Sequence, residues 1–301
     1  MATLNEIEAT YDYLDELFRL SLGPHGDFTG ALFNGDFSKT LLEAQADKHE
    51  YILKGINFEP GDRILDVGSG WGPMLRAIKQ AGGNAVGLTL SPAQAKWCEQ
   101  AGLDARLQDW KTADRGSLGT FDGIVSVGAF EHFCSAEEYL AGWQDQIYQD
   151  FFAFCYDLLP AGGRLYLQTM LWGKVPDYEA ISLKAPKYSD EWVVAHVKKI
   201  FPGSWLPQGF DHVVRTAEPR FKLISENNGR LDYIETLKRW GEEFYKPRLA
   251  KLLPVLKWGP RVVSNQDFRY QLLALYHGTV SEVFKREIFT HQRMVFEKRE
   301  T

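Results

Sequence analysis

Cysteine is scarce in this chain of 301 residues. Cys98, Cys134 and Cys155 are scattered without metal-ligand spacing, and their odd number makes no disulfide framework, so no metal centre is expected. That usage fits a reducing compartment, and the expected location is cytoplasmic. A basic surplus is also missing. Lys and Arg number 34 against 40 Asp and Glu, a net charge of −6. This argues against a nucleic-acid partner and gives no general pull toward anionic membranes. No apolar run approaches the length of a membrane span. The first residues, MATLNEIEATYDYLDELF, are acidic and amphipathic, unlike a signal peptide.

What is present is an ordinary globular composition, 45% hydrophobic and 25% charged. Aromatics reach 14%, which a thick core explains and an apolar ligand cavity explains equally. Leu4, Ile7, Tyr11, Leu14, Leu17 and Phe18 recur at helical spacing, predicting a helix over 4–22. The turn-rich stretch LGPHGDFTGALFNGD follows, and helical period returns over 39–56.

From residue 63 the sequence alternates. Strands are expected over 63–67, 84–89, 105–108, 121–127 and 164–169, with helices over 72–80, 91–101 and 148–159. Ser91 followed by Pro92 is a strong helix start. Such alternation predicts a doubly wound parallel sheet, whose ligands bind outside the carboxyl ends of the strands. Residues 174–215 fit the alternation poorly and read as an inserted helical cap. Sheet-like sequence resumes over 213–225, helices are expected over 231–256 and 267–287, and a last strand over 288–297.

The stretch ILDVGSGWGPM, 64–74, places glycines at 68, 70 and 72 after a strand. A dinucleotide loop needs a different glycine spacing and an acidic residue about twenty positions on. Here the next strand ends in GLTLS, without a carboxylate at its tip. No Gly-Lys-Ser/Thr follows either, so the phosphate-loop pattern fails. Asp66, just ahead of the loop, would repel a pyrophosphate and attract a cation. S-adenosylmethionine, a sulfonium carrying an ammonium, is such a ligand, and the glycines let backbone approach it closely. Taken alone, the loop leaves a structural turn or another nucleotide open.

Several segments together narrow the choice: YDYLDELFRLSLGP (11–24), TLLEAQADKHEYIL (40–53), ILDVGSGWG (64–72), VGLTLSPAQ (86–94), FDGIVSVGAFEHF (121–133) and LLPAGGRLYLQTM (158–170). In this order they resemble the cyclopropane-fatty-acid synthase family, which includes the mycolic acid cyclopropane and methyl transferases. The resemblance covers most of the sequence and thins after residue 174. It implies an α/β fold, a Rossmann-like class I methyltransferase with a seven-stranded doubly wound sheet, N-terminal helices and an inserted helical cap. The expected organisation is one domain: an N-terminal helical lid (1–60), a cofactor-binding sheet core (61–173), a helical substrate cap (174–215), and C-terminal strands and helices (216–301).

The cofactor contacts carried over by motif are Phe28 and Thr29 on the N-terminal loop, then Asp66, Gly68, Ser69, Gly70, Trp71 and Gly72. Thr89, Leu90 and Gln94 follow, then Asp109 and Trp110. Thr89 and Gln94 can bond ribose hydroxyls in place of the usual carboxylate. Asp109 can accept from the adenine amine, and Trp110 offers a flat face to the ring or simply fills the core.

Family members transfer the methyl of S-adenosylmethionine to an acyl-chain alkene, leaving a carbocation that loses a proton or captures water. Cyclopropane-forming members hold a bicarbonate as base, bound by a Cys on the N-terminal loop, the Glu of FEHF, a His and an Ile after the fifth strand, and a downstream Tyr. Those positions fall here on Gly30, Glu131, Gln168, Met170 and Tyr233. Glu131 and Tyr233 are thus the expected catalytic groups, and Gly30, Gln168 and Met170 line the substrate pocket. With no side chain at 30 and no positive charge at 168, bicarbonate is doubtful. Glu131 is expected near the reacting carbon, stabilising a cation or acting as base through water. His132 reads as a packed or hydrogen-bonded core histidine.

The stretch SAEEYLAGWQDQ, after Phe133, is longer than the family pattern calls for. It serves an acceptor pocket, an oligomer contact or neither. The cap is apolar and aromatic (Ile181, Trp192, Val193, Val197, Ile200, Phe201, Trp205), suiting an acyl chain or a terpene. Lys184, Lys187, Lys198 and Lys199 can touch an acyl carrier or membrane lipid head groups, though a solvated surface is the commoner explanation. The leading expectation is therefore a methyltransferase acting on carbon in lipid acyl chains. The alternatives are a methyltransferase of a small apolar metabolite, terpenoid or aromatic, and a non-catalytic cofactor-binding relative.

Overall fold

The computed structural model describes residues 26–201, 203–247, 249, 252–266, 269 and 278–300. The helix expected over 4–22 lies outside them, as does much of 267–287. Seven strands form one sheet: β1 (Arg63–Val67), β2 (Asn84–Thr89), β3 (Asp104–Leu107), β4 (Gly123–Val127), β5 (Arg164–Trp172), β6 (Phe221–Asn228) and β7 (Phe289–Lys298), in the order β3-β2-β1-β4-β5-β7-β6. All neighbours are parallel except β7, which runs antiparallel to both β5 and β6. The order reverses between β1 and β4, so a crevice opens there at the carboxyl ends of the strands. This is the Rossmann-like class I methyltransferase fold.

The central strands are near-continuous apolar runs because helices cover both faces. On one face, helix Gln144–Leu158 packs Phe151, Phe152, Phe154 and Cys155 against Leu65, Ile124, Leu165 and Phe296. On the other, helix Leu41–Gly55 sets Ile52 against Ile64, Val125, Tyr166 and Val295. Thr40 and Glu43 close the start of that helix with a capping box.

Several boundaries differ from expectation. Residues 213–217 are not strand: Phe210–Ala217 is a helix, and β6 begins only at Phe221. Its β-branched Val213 and Thr216 read locally as strand. Yet His212, Val213, Thr216 and Ala217 are buried together on one helical face, so packing overrides propensity. Helix Gln144–Leu158 starts four residues earlier than periodicity suggests, because Gln144 is itself buried. β5 runs on to Trp172, so Met170 lies within it together with Gln168. The long helix expected over 231–256 is two, Arg230–Tyr245 and Leu252–Ser264. No helix among the described residues is long and apolar enough to cross a membrane.

Candidate active site

A cleft of about 230 Å³ lies at the reversal point. Its floor is the turn after β1. Gly68 and Ser69 both donate their backbone N–H to Leu88 O at 2.9 Å, tying the turn to β2. Gly68 has φ +90°, and a Cβ there would stand 2.3 Å from that of Ala129. Only glycine lets the turn pass so close. Ser69 and Gly70 follow on the cleft wall, with Trp71 beside them. Gly72 is not among the cleft-lining residues. It precedes helix Pro73–Gln80 with φ +74°, and a Cβ there would press on Leu103 and Cys98.

Asp66 faces the cleft at the end of β1 and is buried. Its carboxylate has no hydrogen-bond partner among the described residues. Burial, and then the charge of Asp27, push its pKa up to about 7, against the pull of Lys48. An unpaired carboxylate held this way is poised for a cation, and an ammonium or sulfonium fits that need. Thr89 donates its hydroxyl to Gln94 Oε1 at 2.6 Å, and both residues line the cleft. Leu90 lies between them on the wall. Asp109 uses Oδ1 to accept from Lys111 N at 3.0 Å. Trp110 sits at the boundary of cleft and core. It lines the cleft and also packs on Phe133, Phe151 and Phe154 at ring distances of 5.1, 5.4 and 6.0 Å.

Phe28 and Thr29 close the cleft from a segment held by side chains far away in sequence. Lys48 Nζ donates to Asp27 Oδ2 at 2.6 Å, to Thr29 Oγ1 at 2.7 Å and to Gln45 Oε1 at 2.6 Å. His49 Nε2 lies 2.9 Å from the same Asp27 oxygen. Burial alone would raise the Asp27 pKa, but Lys48 and His49 outweigh it and hold the carboxyl well below the usual range. Ala31 is fixed by Thr236 Oγ1, which accepts its N–H, and by Arg293 Nη2, which donates to its carbonyl. Asp27, Lys48 and His49 line the cleft, and sequence reasoning assigns them nothing. The available signal is Gln45, Lys48 and Ile52, polar and apolar residues sharing one buried stripe of helix Leu41–Gly55.

The five positions expected around the reacting carbon adjoin one another through Thr169, Gly30 and the Tyr233 cluster, and none of them is among the residues that line the cleft. Glu131 sits in the short 3-10 turn Phe130–His132 and is buried. Its Oε2 accepts the Thr169 hydroxyl at 2.8 Å, and its Oε1 lies 3.9 Å from where a Cβ on cleft-lining Gly128 would stand. Burial pushes its pKa up to about 7, although Thr169 and the backbone N–H groups of Glu131 and Met170 oppose this. Gln168 donates Nε2 to Gly30 O at 3.0 Å and accepts the Tyr166 hydroxyl on Oε1 at 3.0 Å. A Cβ on Gly30 would lie 2.5 Å from the ring of Tyr233, which stacks on Phe284 at 4.6 Å. Met170 packs against an apolar cluster containing Trp172, Trp205 and Tyr233.

His132 lines the cleft and has Nδ1 2.9 Å from Ser204 Oγ, while burial lowers its pKa to about 4. The inserted stretch after Phe133 becomes the short helix Ala136–Leu140 and is stitched to the cap. Trp205 N donates to Cys134 O at 2.9 Å, and Tyr139 stacks on Trp205 at 4.5 Å. Lys198 is not a simple solvated lysine. Its ammonium lies 4.2 Å from the centre of the Tyr178 ring and 5.3 Å from that of Trp205.

The sheet order, the glycine turn and the unpaired Asp66 fit an S-adenosylmethionine-dependent methyltransferase, the class to which the chain's relatives assign it. The family model for mycolic acid cyclopropane synthetase matches residues 1–254. Cyclopropane mycolic acid synthase 2 of Mycobacterium leprae is 33% identical over 254 residues, covering 79% of this chain and 78% of its own. Hydroxymycolate synthase MmaA4 of Mycobacterium tuberculosis is 33% identical over 246 residues, covering 79% and 77%. The crystal structure of mycolic acid cyclopropane synthase CmaA1 with SAH and CTAB superposes with a TM-score of 0.76 at 29% identity, covering 98% of each chain. The chain belongs to the mycolic acid cyclopropane synthetase family.

Proposed function

We propose that this protein transfers a methyl group from S-adenosylmethionine to an alkene carbon of a lipid acyl chain. The observation that carries the reading is the position of Glu131. One carboxyl, buried and hydrogen-bonded, stands between the cleft wall at Gly128 and the strand whose Met170 packs into the aromatic cluster under the cap. An alkene needs no deprotonation before it attacks, only afterwards, so a single proton acceptor on the acceptor side suffices. The names of the relatives, cyclopropane mycolic acid synthase and hydroxymycolate synthase, point the same way.

When bound, S-adenosylmethionine supplies an electrophilic methyl on sulfur. Asp66 and the turn from Gly68 to Trp71 hold its charged end, Thr89 and Gln94 its ribose, and Asp109 and Trp110 its base. Phe28 and Thr29 cover it. In this reading residues 1–60 act as a lid, 61–173 hold the cofactor, 174–215 cap the acceptor, and 216–301 complete the sheet and pocket. The Trp172, Trp205 and Tyr233 cluster is packed and buried beneath the cap; in this reading it backs the acceptor site with apolar surface, where a weak nucleophile is aligned and water excluded.

The test uses methyl-labelled S-adenosylmethionine with a lipid extract beside a polar-metabolite extract. Label entering the acyl-lipid fraction supports the reading. Label confined to polar metabolites refutes it.

A further inference from the structure

The bicarbonate held by cyclopropane-forming relatives does not fit the residues present here. Space is the first obstacle: the region beside Gly30 is filled by the Tyr233 ring, 2.5 Å from an added Cβ. Both ends of the Gln168 amide are committed, Nε2 to Gly30 O and Oε1 to the Tyr166 hydroxyl, and the side chain is fully buried. Charge is the third obstacle. The buried cations of this region, Lys48 and Arg293, are matched by Asp27 at 2.6 Å and Asp232 at 3.0 Å. Asp66 and Glu131 remain without a cationic partner among the described residues, so another anion beside Glu131 adds repulsion where burial has already removed water. His291, next to Gly30, offers no charge, since burial and then Arg293 hold it neutral.

We propose that this enzyme works without bicarbonate and that the carboxylate of Glu131 itself receives the proton released after methyl transfer. This rests on the acyl-alkene reading above. The alkene π pair forms the new C–C bond to the methyl as the methyl–sulfur bond breaks, sulfur keeping that pair as a thioether. A C–H bond beside the resulting cation then breaks. Its electron pair closes a cyclopropane ring or a new double bond, and its proton goes to a Glu131 oxygen, giving a neutral carboxyl. The oxygen placed to take it is Oε1, which lies on the Gly128 side, whereas Oε2 accepts the Thr169 hydroxyl.

The test has a turnover arm and a binding arm, both on the full-length protein. In carbon-dioxide-free buffer the wild-type rate on an alkenyl acyl lipid stays within about twofold of the rate with added bicarbonate. The variant Glu131→Gln loses about 10²–10⁴-fold, and bicarbonate does not restore it. A wild-type rate that collapses without bicarbonate and returns with it overturns the proposal, as does near-normal turnover by Glu131→Gln. In the binding arm, ¹³C-bicarbonate NMR with the S-adenosylhomocysteine-loaded protein shows no saturable exchange broadening; a saturable site overturns the proposal. If no alkenyl lipid accepts a methyl, the acyl-alkene reading fails, and with it the proton-transfer step, while the binding arm still decides the exclusion of bicarbonate.

Discussion

Replacing Glu131 by glutamine should make the folded protein more stable while removing its activity. An ordinary glutamate titrates near 4.5, whereas burial holds Glu131 at about 7. Between those values the unfolded protein gives up the proton and the folded protein keeps it. A raised folded pKa contributes stability that is fully present below 4.5 and lost as pH climbs through about 7. At about 1.36 kcal/mol for each pH unit between the two values, the loss comes to about 3 kcal/mol.

The Glu131→Gln variant carries no titrating group at this position, so the difference between wild type and variant isolates the carboxyl. The surrounding groups do not confuse it. Thr169 and the Met170 backbone do not titrate, His132 is neutral above about 4, and Tyr148 keeps its proton because burial raises its pKa well above the usual value. Asp66 titrates in the same window but is present in both proteins. The assay is urea unfolding of cofactor-free protein across this range. Wild type should lose about 3 kcal/mol relative to the variant, then run parallel to it above neutrality. A difference that stays flat across the window would refute the reasoning, for it would mean a hydrated carboxyl with an ordinary pKa.

Asp66→Asn should weaken S-adenosylmethionine binding by about 1.5–3 kcal/mol, the size of a lost charge-assisted contact. Calorimetry should also show that wild-type affinity rises with pH through about 7, as Asp66 ionises, and that the variant lacks this rise. Lys48→Met leaves Asp27 buried without its lysine, which should cost about 3–5 kcal/mol in denaturant unfolding. Adding Asp27→Asn should recover much of it, because the stranded charge is gone. Gly30→Ala should cost about 1–3 kcal/mol by pressing on the Tyr233 ring. In a Tyr233→Leu background the same change should cost clearly less, and a double-mutant cycle would read the difference.

The parallel core is the most legible part of the sequence. Strands β1 and β2 run Arg63–Val67 and Asn84–Thr89, as periodicity and their bounding turns indicate. Buried parallel strands declare themselves because both faces must be apolar. The helix Phe210–Ala217 is hidden because Val213 and Thr216 favour strand locally, while its burial against the sheet is a tertiary fact. The glycine turn and Asp66 are visible because their chemistry lies within a few residues. Asp27 and Lys48 are not, since the pair joins a loop to a helix 21 positions on, and a lysine on a charged helix looks like solvated surface. The filling of the Gly30 site by Tyr233 is hidden for the same reason, lying between distant segments. The sequence shows a missing side chain, and only the fold shows what takes its place.

The most direct measurement of the central claim uses purified protein, methyl-labelled S-adenosylmethionine, and two acyl lipids that differ only in one double bond. Mass spectrometry should find the label on carbon at the former alkene of the unsaturated lipid and none in its saturated counterpart. Equal labelling of both, or label on a head-group heteroatom, would contradict the account.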